Sequence, residues 1–254
     1  FLPGIKLPPD ILWTADKNEA VAGADIVVLA VPSRFFRPVL ESFANLIPAS
    51  APVLSVTKGL DEKTGHRTTE VAEELLKKPV AALSGPSLAA EVARGIPTAA
   101  TIACANHETA RELQSLFMNN SFRVYTSDDV IGVEIGGALK NVIALAAGVC
   151  DGIGYGDNTK AALITRGLAE ISRLGAALGA HPATFAGLSG MGDLVVTCTS
   201  RLSRNHAVGE RLGRGESIEQ ILKTMEQVAE GVWTCASARA LARKHGVEVP
   251  ITEE

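Results

Sequence analysis

Apolar and polar residues alternate along the first half of the chain in blocks that fit strands followed by helices. The clearest block is residues 26–31, a continuous aliphatic run typical of a parallel strand buried on both faces. Further strands are predicted at 53–57, 80–84, 98–103 and 122–126, with helices at 33–46, 69–77, 87–94 and 106–117, the first and last of them capped by Ser33 and Asn106. This alternation predicts a parallel, doubly wound α/β sheet, and we expect its final strands to turn antiparallel at the edge.

The strand pattern stops near residue 128. Helical periodicity then covers residues 130–150, 157–180, 182–188, 204–213, 217–228 and 231–245, with glycine-rich turns between them. We therefore expect two domains, an α/β domain over residues 1–128 and an all-helical domain over residues 129–254.

Composition narrows the class of partner. The 254 residues include 24 Lys and Arg against 28 Asp and Glu, a net charge of −4 with both signs mixed, which argues against nucleic acid as a partner. Apolar residues reach 46%, but Gly, Lys and Asn interrupt the longest apolar runs, so we expect no membrane-spanning helix. The four cysteines form no C-x-x-C pair and the five histidines are scattered, which indicates reduced thiols of a cytosolic protein and no metal site.

Lys140 is the only charged residue between Glu134 and Asp151. Small and aliphatic residues surround it, as in a helix packed on most of its circumference. Such a lysine either extends along its methylene groups to water or lies in a cleft with a polar partner. In a cleft, loss of hydration lowers the pKa of the amine and makes it a usable proton acceptor.

Two further clusters follow predicted strands, at the edge of the sheet where open α/β sheets bind ligands. Lys58 comes directly after the strand at 53–57 and could meet a phosphate, or it could be an ordinary loop cation. Gly85-Pro-Ser87 follows the strand at 80–84 and opens a predicted helix whose free N–H groups suit an anion or a carboxamide oxygen. The alternative is a strand-to-helix turn with a serine cap.

Anion-binding and acidic groups recur in the helical half. Ser203-Arg204-Asn205 at a predicted helix start combines a hydroxyl, a guanidinium and an amide, which suits a phosphate, although a helix cap beside a surface arginine would look the same. Asp193 lies in a glycine-rich turn, where it could hold a lysine ammonium or cap the next segment. Together with Lys58 and Lys140, these groups suit a small phosphorylated alcohol or ketone held between two domains, and no Ser-His-Asp order or Cys-His pair competes with that chemistry.

The chain lacks one motif that a dinucleotide-binding sheet carries. G-x-G-x-x-G should lie between the first strand and helix, but the glycine-rich stretches at 152–156 and 187–192 have the wrong context, since both fall in the helical half. If the protein uses a dinucleotide, we expect that fingerprint to precede Phe1.

Several motifs together resemble bacterial glycerol-3-phosphate dehydrogenase, in that family's order and across essentially the whole chain. They are residues 31–33 (VPS), 55–60 (SVTKGL), 83–87 (LSGPS), 134–144 (EIGGALKNVIA), 190–194 (GMGDL), 203–205 (SRN) and 228–231 (VAEG). The resemblance implies a Rossmann-type dinucleotide-binding domain, NAD or NADP as cofactor, and cytoplasmic interconversion of sn-glycerol 3-phosphate and dihydroxyacetone phosphate for glycerophospholipid synthesis.

The resemblance also assigns roles to individual residues. Lys140 matches the family's proton acceptor and contacts the substrate, and Asp193 would lie beside the substrate and orient or charge-balance Lys140. The remaining matches are substrate contacts at Gly85, Ser87, Ser203, Arg204 and Asn205, cofactor contacts at Ala89, Val228 and Glu230, and contacts to both at Lys58, with Arg204 also reaching the cofactor.

The family pattern further implies a small-molecule substrate and no membrane insertion, and the apolar helices favour a homodimer. Because its glycine-rich strand-loop-helix and its last helical stretch have no counterpart in residues 1–254, we expect a fragment that is inactive alone. Two alternatives stay open: a related dehydrogenase acting on a hydroxyacid or a pantoate precursor, and a non-catalytic nucleotide-binding module.

Overall fold

The first half of the chain forms a five-stranded sheet. The fold is given by a computed structural model, which describes Leu2, residues 4–225 and residues 227–254. Within this range the strands lie in the order β1 (Val27–Leu29), β2 (Val53–Ser55), β3 (Ala81–Ser84), β4 (Thr98–Ala103) and β5 (Phe122–Ser127). Strands β1 to β3 are parallel, β4 is antiparallel to β3, and β5 is parallel to β4. The predicted α/β class is confirmed, and the final two strands reverse as expected.

Helices cover both faces of this sheet. They are α1 (Lys17–Val21), α2 (Ser33–Phe43), α3 (Thr68–Leu76), α4 (Ala89–Val92) and α5 (His107–Phe117). One apolar cluster packs α2 and α3 on one side of β1 and β2, and a second packs α5 on β3, β4 and β5. The helix predicted at 87–94 is only four residues long, so Ser87 precedes it and the expectation that Ser87 opens a helix was wrong. The short α1 was not predicted.

Strand β1 departs from the expected burial. Every residue of β2 and β3 is buried, whereas Val28 of β1 is 42% exposed. Strand β1 lies at the end of the strand order, so one of its edges has no partner among the described residues. The prediction of a strand buried on both faces was therefore wrong at Val28.

The second half is helical. After β5 come α6 (Val130–Ile153), α7 (Asp157–Ala177), a 3-10 turn (Pro182–Ala186), a π-helical turn (Leu188–Gly192), α8 (Asp193–Thr199), α9 (Arg204–Gly213), α10 (Ile218–Thr224), α11 (Glu230–Lys244) and α12 (Pro250–Glu253). The predicted bounds of α9 are reproduced. The helix expected at 217–228 ends at Thr224, so Val228 lies outside it, and α8 and α12 were not predicted.

Helix α6 is the central element of the helical half. Asp129 caps its first turn by accepting the N–H of Gly132 at 2.8 Å, and Gly154 ends it with a φ of 92°. Its 24 residues are long and apolar enough, by length and composition only, to cross a membrane, although Gly, Lys and Asn interrupt the apolar sequence. Of its most apolar window, 78% is buried inside the protein, which is the environment of a core helix.

Helices α6 and α9 cross in backbone contact. Gly148 and Gly152 face the crossing on α6, and Gly209 and Gly213 face it on α9. A Cβ on Gly148 would lie 2.1 Å from the carbonyl oxygen of His206, and one on Gly209 would lie 2.0 Å from that of Leu145. Glycine is required at this crossing because a side chain would force the helices apart. The first turn of α9 is consequently held against α6.

Candidate active site

The lone lysine of α6 lies in a buried, polar position. Lys140 is 6% exposed, and its Nζ donates to Oδ1 of Asp193 at 2.7 Å and to Oγ1 of Thr197 at 2.8 Å. The Thr197 hydroxyl itself donates to the main-chain oxygen of Asp193 at 2.6 Å. Because its proton is used in that bond, its oxygen is oriented to accept from Lys140. A lysine that extends to solvent is therefore excluded at this position.

A second lysine reaches the same carboxylate from the sheet. Lys58 follows β2, and its Nζ donates to Oδ2 of Asp193 at 2.7 Å and to the main-chain oxygen of Gly85 at 2.7 Å, with the Ser87 hydroxyl at 3.4 Å. The loops after β2 and β3 thus meet the first residue of α8, with one carboxylate between two ammonium groups. The ordinary-loop-cation alternative for Lys58 does not fit these contacts.

Burial and the neighbouring charges shift the pKa values of Lys140 and Asp193. Burial lowers the pKa of Lys140 to about 8, helped by the positive charge of Lys58 and opposed by Asp193. Burial alone would raise the pKa of Asp193, but the charges of Lys58 and Lys140 outweigh it and lower that pKa. Asp193 is therefore a carboxylate at neutral pH, and Lys140 titrates where it can exchange a proton.

Asp193 owes its position to a π-helical turn. The sequence predicted a glycine turn, but Leu188–Gly192 winds as a π turn and Asp193 is the first residue of α8. A Cβ on Gly190 would lie 2.2 Å from the main-chain oxygen of Phe185, so the turn packs too closely for any side chain there. Asp193 does not cap α8, because its carboxylate binds both lysines.

The Ser-Arg-Asn segment begins α9. Ser203 is the N-cap residue, and its hydroxyl accepts the N–H of His206 at 3.2 Å, so the cap alternative is realised for this residue. Arg204 is exposed, whereas the Asn205 side chain is buried and bonded to Asn141, the residue after Lys140, at 2.9 Å. This segment is thereby joined to the helix that carries Lys140.

A further contact bridges the two halves of the chain. The carboxylate of Glu230, the first residue of α11, accepts the N–H of Ser33 at 3.0 Å and also its hydroxyl proton. Ser33 was expected to cap α2, but Pro32 is the N-cap residue and the serine hydroxyl is turned to Glu230. Burial raises the pKa of Glu230, opposed by the hydrogen bonds from Ser33 and by the charge of Arg204.

Of the other predicted site residues, Gly85 joins the Lys58 contacts through its main-chain oxygen, whereas Ala89 and Val228 lie outside the hydrogen-bonded group. Gly85 has a φ of +144°, and a Cβ there would lie 2.9 Å from the Cα of Ala100, so only glycine fits. Ala89 is exposed at the start of α4, and Val228 is half-buried just before α11. Neither takes part in the side-chain hydrogen bonds of the described residues.

Two residues of the candidate site, Thr197 and Asn141, were not predicted from the sequence. Thr197 lies four residues after Asp193, a spacing that places both on one face of a helix, but α8 was not predicted. Asn141 was inside a recognised motif without a role of its own. Within the described ranges no three His, Cys, Asp or Glu side chains group as metal ligands, and burial raises the pKa of the nearby Cys198 thiol to about 12, which keeps it neutral.

Comparison with known proteins agrees with this geometry. Residues 1–110 match the family model for the N-terminus of NAD-dependent glycerol-3-phosphate dehydrogenase, and residues 129–254 match the model for its C-terminus. The chain belongs to this family. It is 53% identical, over its whole length and 76% of the relative, to glycerol-3-phosphate dehydrogenase [NAD(P)+] of Moorella thermoacetica, and 53% identical to the protein of the same name from Fusobacterium nucleatum, again over its whole length and 76% of that relative.

Solved structures of the glycerol-3-phosphate dehydrogenase family share the fold. The crystal structure of the Coxiella burnetii enzyme superposes with a TM-score of 0.96 at 39% identity, covering the whole chain and 78% of that protein. The yeast enzyme gives a TM-score of 0.85 at 29% identity, over the whole chain and 76% of that protein. A ketopantoate reductase from Ralstonia eutropha is 18% identical with a TM-score of 0.57, a likeness of fold alone.

Proposed function

We infer that the full-length protein has the activity of its family, the NAD(P)-dependent interconversion of sn-glycerol 3-phosphate and dihydroxyacetone phosphate, and that residues 1–254 supply its catalytic groups. The observation that supports a working site is the buried group in which Asp193 lies between Lys140 and Lys58. A module that only binds nucleotides has no use for a buried amine with a pKa near neutrality, so this group argues against the non-catalytic alternative.

Lys140 is proposed as the general acid and base. Bound NAD(P)⁺ supplies the acceptor for the hydride that leaves C2 of glycerol 3-phosphate. As that hydride leaves, the neutral amine of Lys140 takes the proton of the C2 hydroxyl, and the C2–O bond becomes the ketone. In the reducing direction the Lys140 ammonium returns the proton to the same oxygen.

Asp193 and Lys58 complete the proposed proton chemistry. The Asp193 carboxylate holds the Lys140 amine in one place through a 2.7 Å contact and stabilises its protonated form. Lys58 keeps that carboxylate charged and adds a second cation at the sheet edge, beside the main-chain oxygen of Gly85. A ketone oxygen that gains negative charge during reduction would be stabilised between these two cations.

The substrate phosphate is proposed to bind at the start of α9. Arg204 is exposed there, its guanidinium has no hydrogen-bond partner among the described residues, and the first N–H groups of a ten-residue helix add positive potential. Ser203 and Asn205 flank the arginine on the buried side. Binding the phosphate at this turn would fix C2 next to Lys140, since α9 is packed against α6.

The residues present fit the nicotinamide end of a dinucleotide. The loops after β1, β2 and β3 carry Ser33, Lys58 and Gly85 at the carboxyl edge of the parallel strands, where open α/β sheets bind such ligands. A Cβ on Gly59 would lie 2.6 Å from Ser33 and 3.1 Å from the Glu230 carboxylate. A side chain at position 59 would therefore displace the Ser33–Glu230 contact at this edge. We propose that Lys58, Ala89, Arg204, Val228 and Glu230 contact the cofactor.

We propose further that residues 1–128 and 129–254 are its cofactor-binding and catalytic domains, and that the enzyme is cytoplasmic and homodimeric, without binding nucleic acid or inserting into membranes. The mixed charge and net −4 support a small-molecule substrate rather than nucleic acid. Exposed apolar side chains on the helical half, such as Ile153, Tyr155 and Val195, support a dimer. Light scattering during gel filtration would test the dimer.

The activity is tested by a substrate screen. Purified full-length protein is mixed with NADH or NADPH and either dihydroxyacetone phosphate, ketopantoate or pyruvate, and loss of reduced-cofactor absorbance is followed. We expect turnover with dihydroxyacetone phosphate and at most a trace with the two carboxylates. Turnover mainly with a carboxylate would favour the hydroxyacid alternative, and cofactor binding without turnover on any substrate would favour the non-catalytic one.

A further inference from the structure

Four side-chain and main-chain amide groups are joined by three hydrogen bonds into a continuous chain through the site. The N–H of Gly231, in the first turn of α11, donates to Oδ1 of Asn205 at 2.8 Å. Nδ2 of Asn205 donates to Oδ1 of Asn141 at 2.9 Å, and Nδ2 of Asn141 donates to the main-chain oxygen of Lys58 at 3.0 Å. Both asparagines are buried, and the chain connects the three segments that carry Glu230, the Ser-Arg-Asn turn and Lys58.

The direction of this chain is fixed by its two ends. A main-chain N–H can only donate and a main-chain oxygen can only accept, so each asparagine amide has a single orientation that satisfies its neighbours. Turning either amide over would place two oxygens or two N–H₂ groups face to face in a buried position, at the cost of unmade hydrogen bonds. Asn141 is the member that joins the Asn205 amide to the main chain of Lys58.

This orientation determines what Asn205 presents to a ligand. Its oxygen is occupied by the N–H of Gly231, and one of its two amide hydrogens is used by Asn141. The group left over is an N–H, which attracts a phosphate oxygen, whereas a reversed amide would present an oxygen that repels it.

We propose that Asn141 is a positioning residue that holds the Asn205 amide with its free N–H towards the phosphate site and ties that site to the Lys58 loop. The proposal rests on the proposed function, because it takes the ligand at Asn205 to be the substrate phosphate. Asn141 acts through Asn205 and need not touch the substrate. Its loss therefore affects phosphate recognition before it affects the chemistry at C2.

The test is a double-mutant cycle. Asn141→Ala, Asn205→Ala and the double variant are assayed with dihydroxyacetone phosphate and with unphosphorylated dihydroxyacetone. We expect Asn141→Ala to raise KM for the phosphorylated substrate about ten-fold, and kcat/KM for the unphosphorylated one to change by less than about three-fold. In the Asn205→Ala background, Asn141→Ala should add little, since the amide it orients is gone.

Control variants and a binding measurement distinguish a general loss of stability from a specific loss of phosphate recognition. Asn106→Ala removes the cap of α5, far from the site, and serves as a matched asparagine variant that lowers stability without changing KM. The rise in melting temperature with glycerol 3-phosphate reports binding without turnover, and Asn141→Ser repeats the test if the alanine variant folds poorly. Equal losses on both substrates, or additive losses in the double variant, would overturn the proposal. An inactive wild-type protein would instead refute the proposed function.

Discussion

The Nζ of Lys140 lies 2.7 Å from Oδ1 of Asp193, with side chains that are only 7% and 2% exposed. A buried ion pair of this kind contributes little net stability, because the attraction is offset by the lost hydration of both charges. Its value lies in reactivity, since the low exposure places the amine close to losing its proton while the carboxylate keeps it in position. Both effects can be measured separately.

Lys140→Ala should remove the proton acceptor and leave the fold intact. We expect kcat to fall by about 10²–10⁴-fold, the usual size of one acid-base contribution. Folding should be spared because Lys58 still neutralises Asp193 in the variant. Steady-state kinetics and circular dichroism test this, with the exposed Lys223→Ala as the control. Near-full kcat in Lys140→Ala would identify another group as the base.

The pH dependence follows from the pKa of Lys140, lowered to about 8 by burial. Oxidation needs the neutral amine, so its kcat should rise with pH and level off above that pKa, while reduction needs the ammonium and should decline over the same range. Because the Asp193 carboxylate raises this pKa, Asp193→Asn should move the midpoint to lower pH. A midpoint that stays in place, or moves to higher pH, would show that the pH dependence does not arise from the Lys140–Asp193 pair.

Arg204→Ala should weaken phosphate recognition. If the guanidinium forms a charge-assisted contact with the phosphate, the loss in substrate binding is about 1.5–3 kcal/mol. Bare glycerol should be affected much less, because it lacks the group that Arg204 binds. Arg201→Ala, an exposed arginine three residues earlier, is the matched control and should behave as wild type. Equal losses with glycerol 3-phosphate and glycerol would place Arg204 outside the phosphate site.

Glu134 should matter for stability rather than for turnover. Its buried carboxylate accepts from Nη1 of Arg67 at 2.7 Å, from Oγ1 of Thr68 at 2.8 Å and from the N–H of Thr69 at 2.9 Å, which joins α6 to α3. Glu134→Ala leaves Arg67 without this partner and should cost about 3–5 kcal/mol of unfolding free energy. The pair of exposed Glu74 with half-buried Arg37 provides a control, because Arg37 keeps its contact with Asp61 and Glu74→Ala should cost at most about 1 kcal/mol. Urea unfolding distinguishes the two, and comparable losses would contradict the role given to Glu134.

Periodicity predicted the elements whose burial follows from their own sequence. The predicted bounds of β4 agree with the structure because an apolar run marks its ends, and those of α9 agree because the Ser203 cap marks its start. The π turn at Leu188–Gly192 escaped, since its glycines are required by contact with Phe185, a residue outside the turn. Glycine sequences look alike whether the backbone turns or packs closely against another segment.

Charge made some residues of the candidate site conspicuous in the sequence. Lys140 stands out in an apolar helix and Asp193 among glycines, and the structure brings both together with Lys58. Asn141 and Thr197 carry no charge, and their importance comes from partners on other helices or from a helix that the pattern did not predict. A hydroxyl or amide acquires such a role only through tertiary contacts, which periodicity does not contain.

The glycine-lined crossing of α6 and α9 has a consequence for which molecules fit. Lys140 lies on one of these helices and the Ser203 turn starts the other, so the span between proton transfer and anion binding is set by two backbones in contact. The fixed distance between these two points limits the length of the ligand that can reach both. A methyl group at Gly148 would lengthen that span, and selection against molecules one carbon longer or shorter would weaken although every polar side chain remained in place.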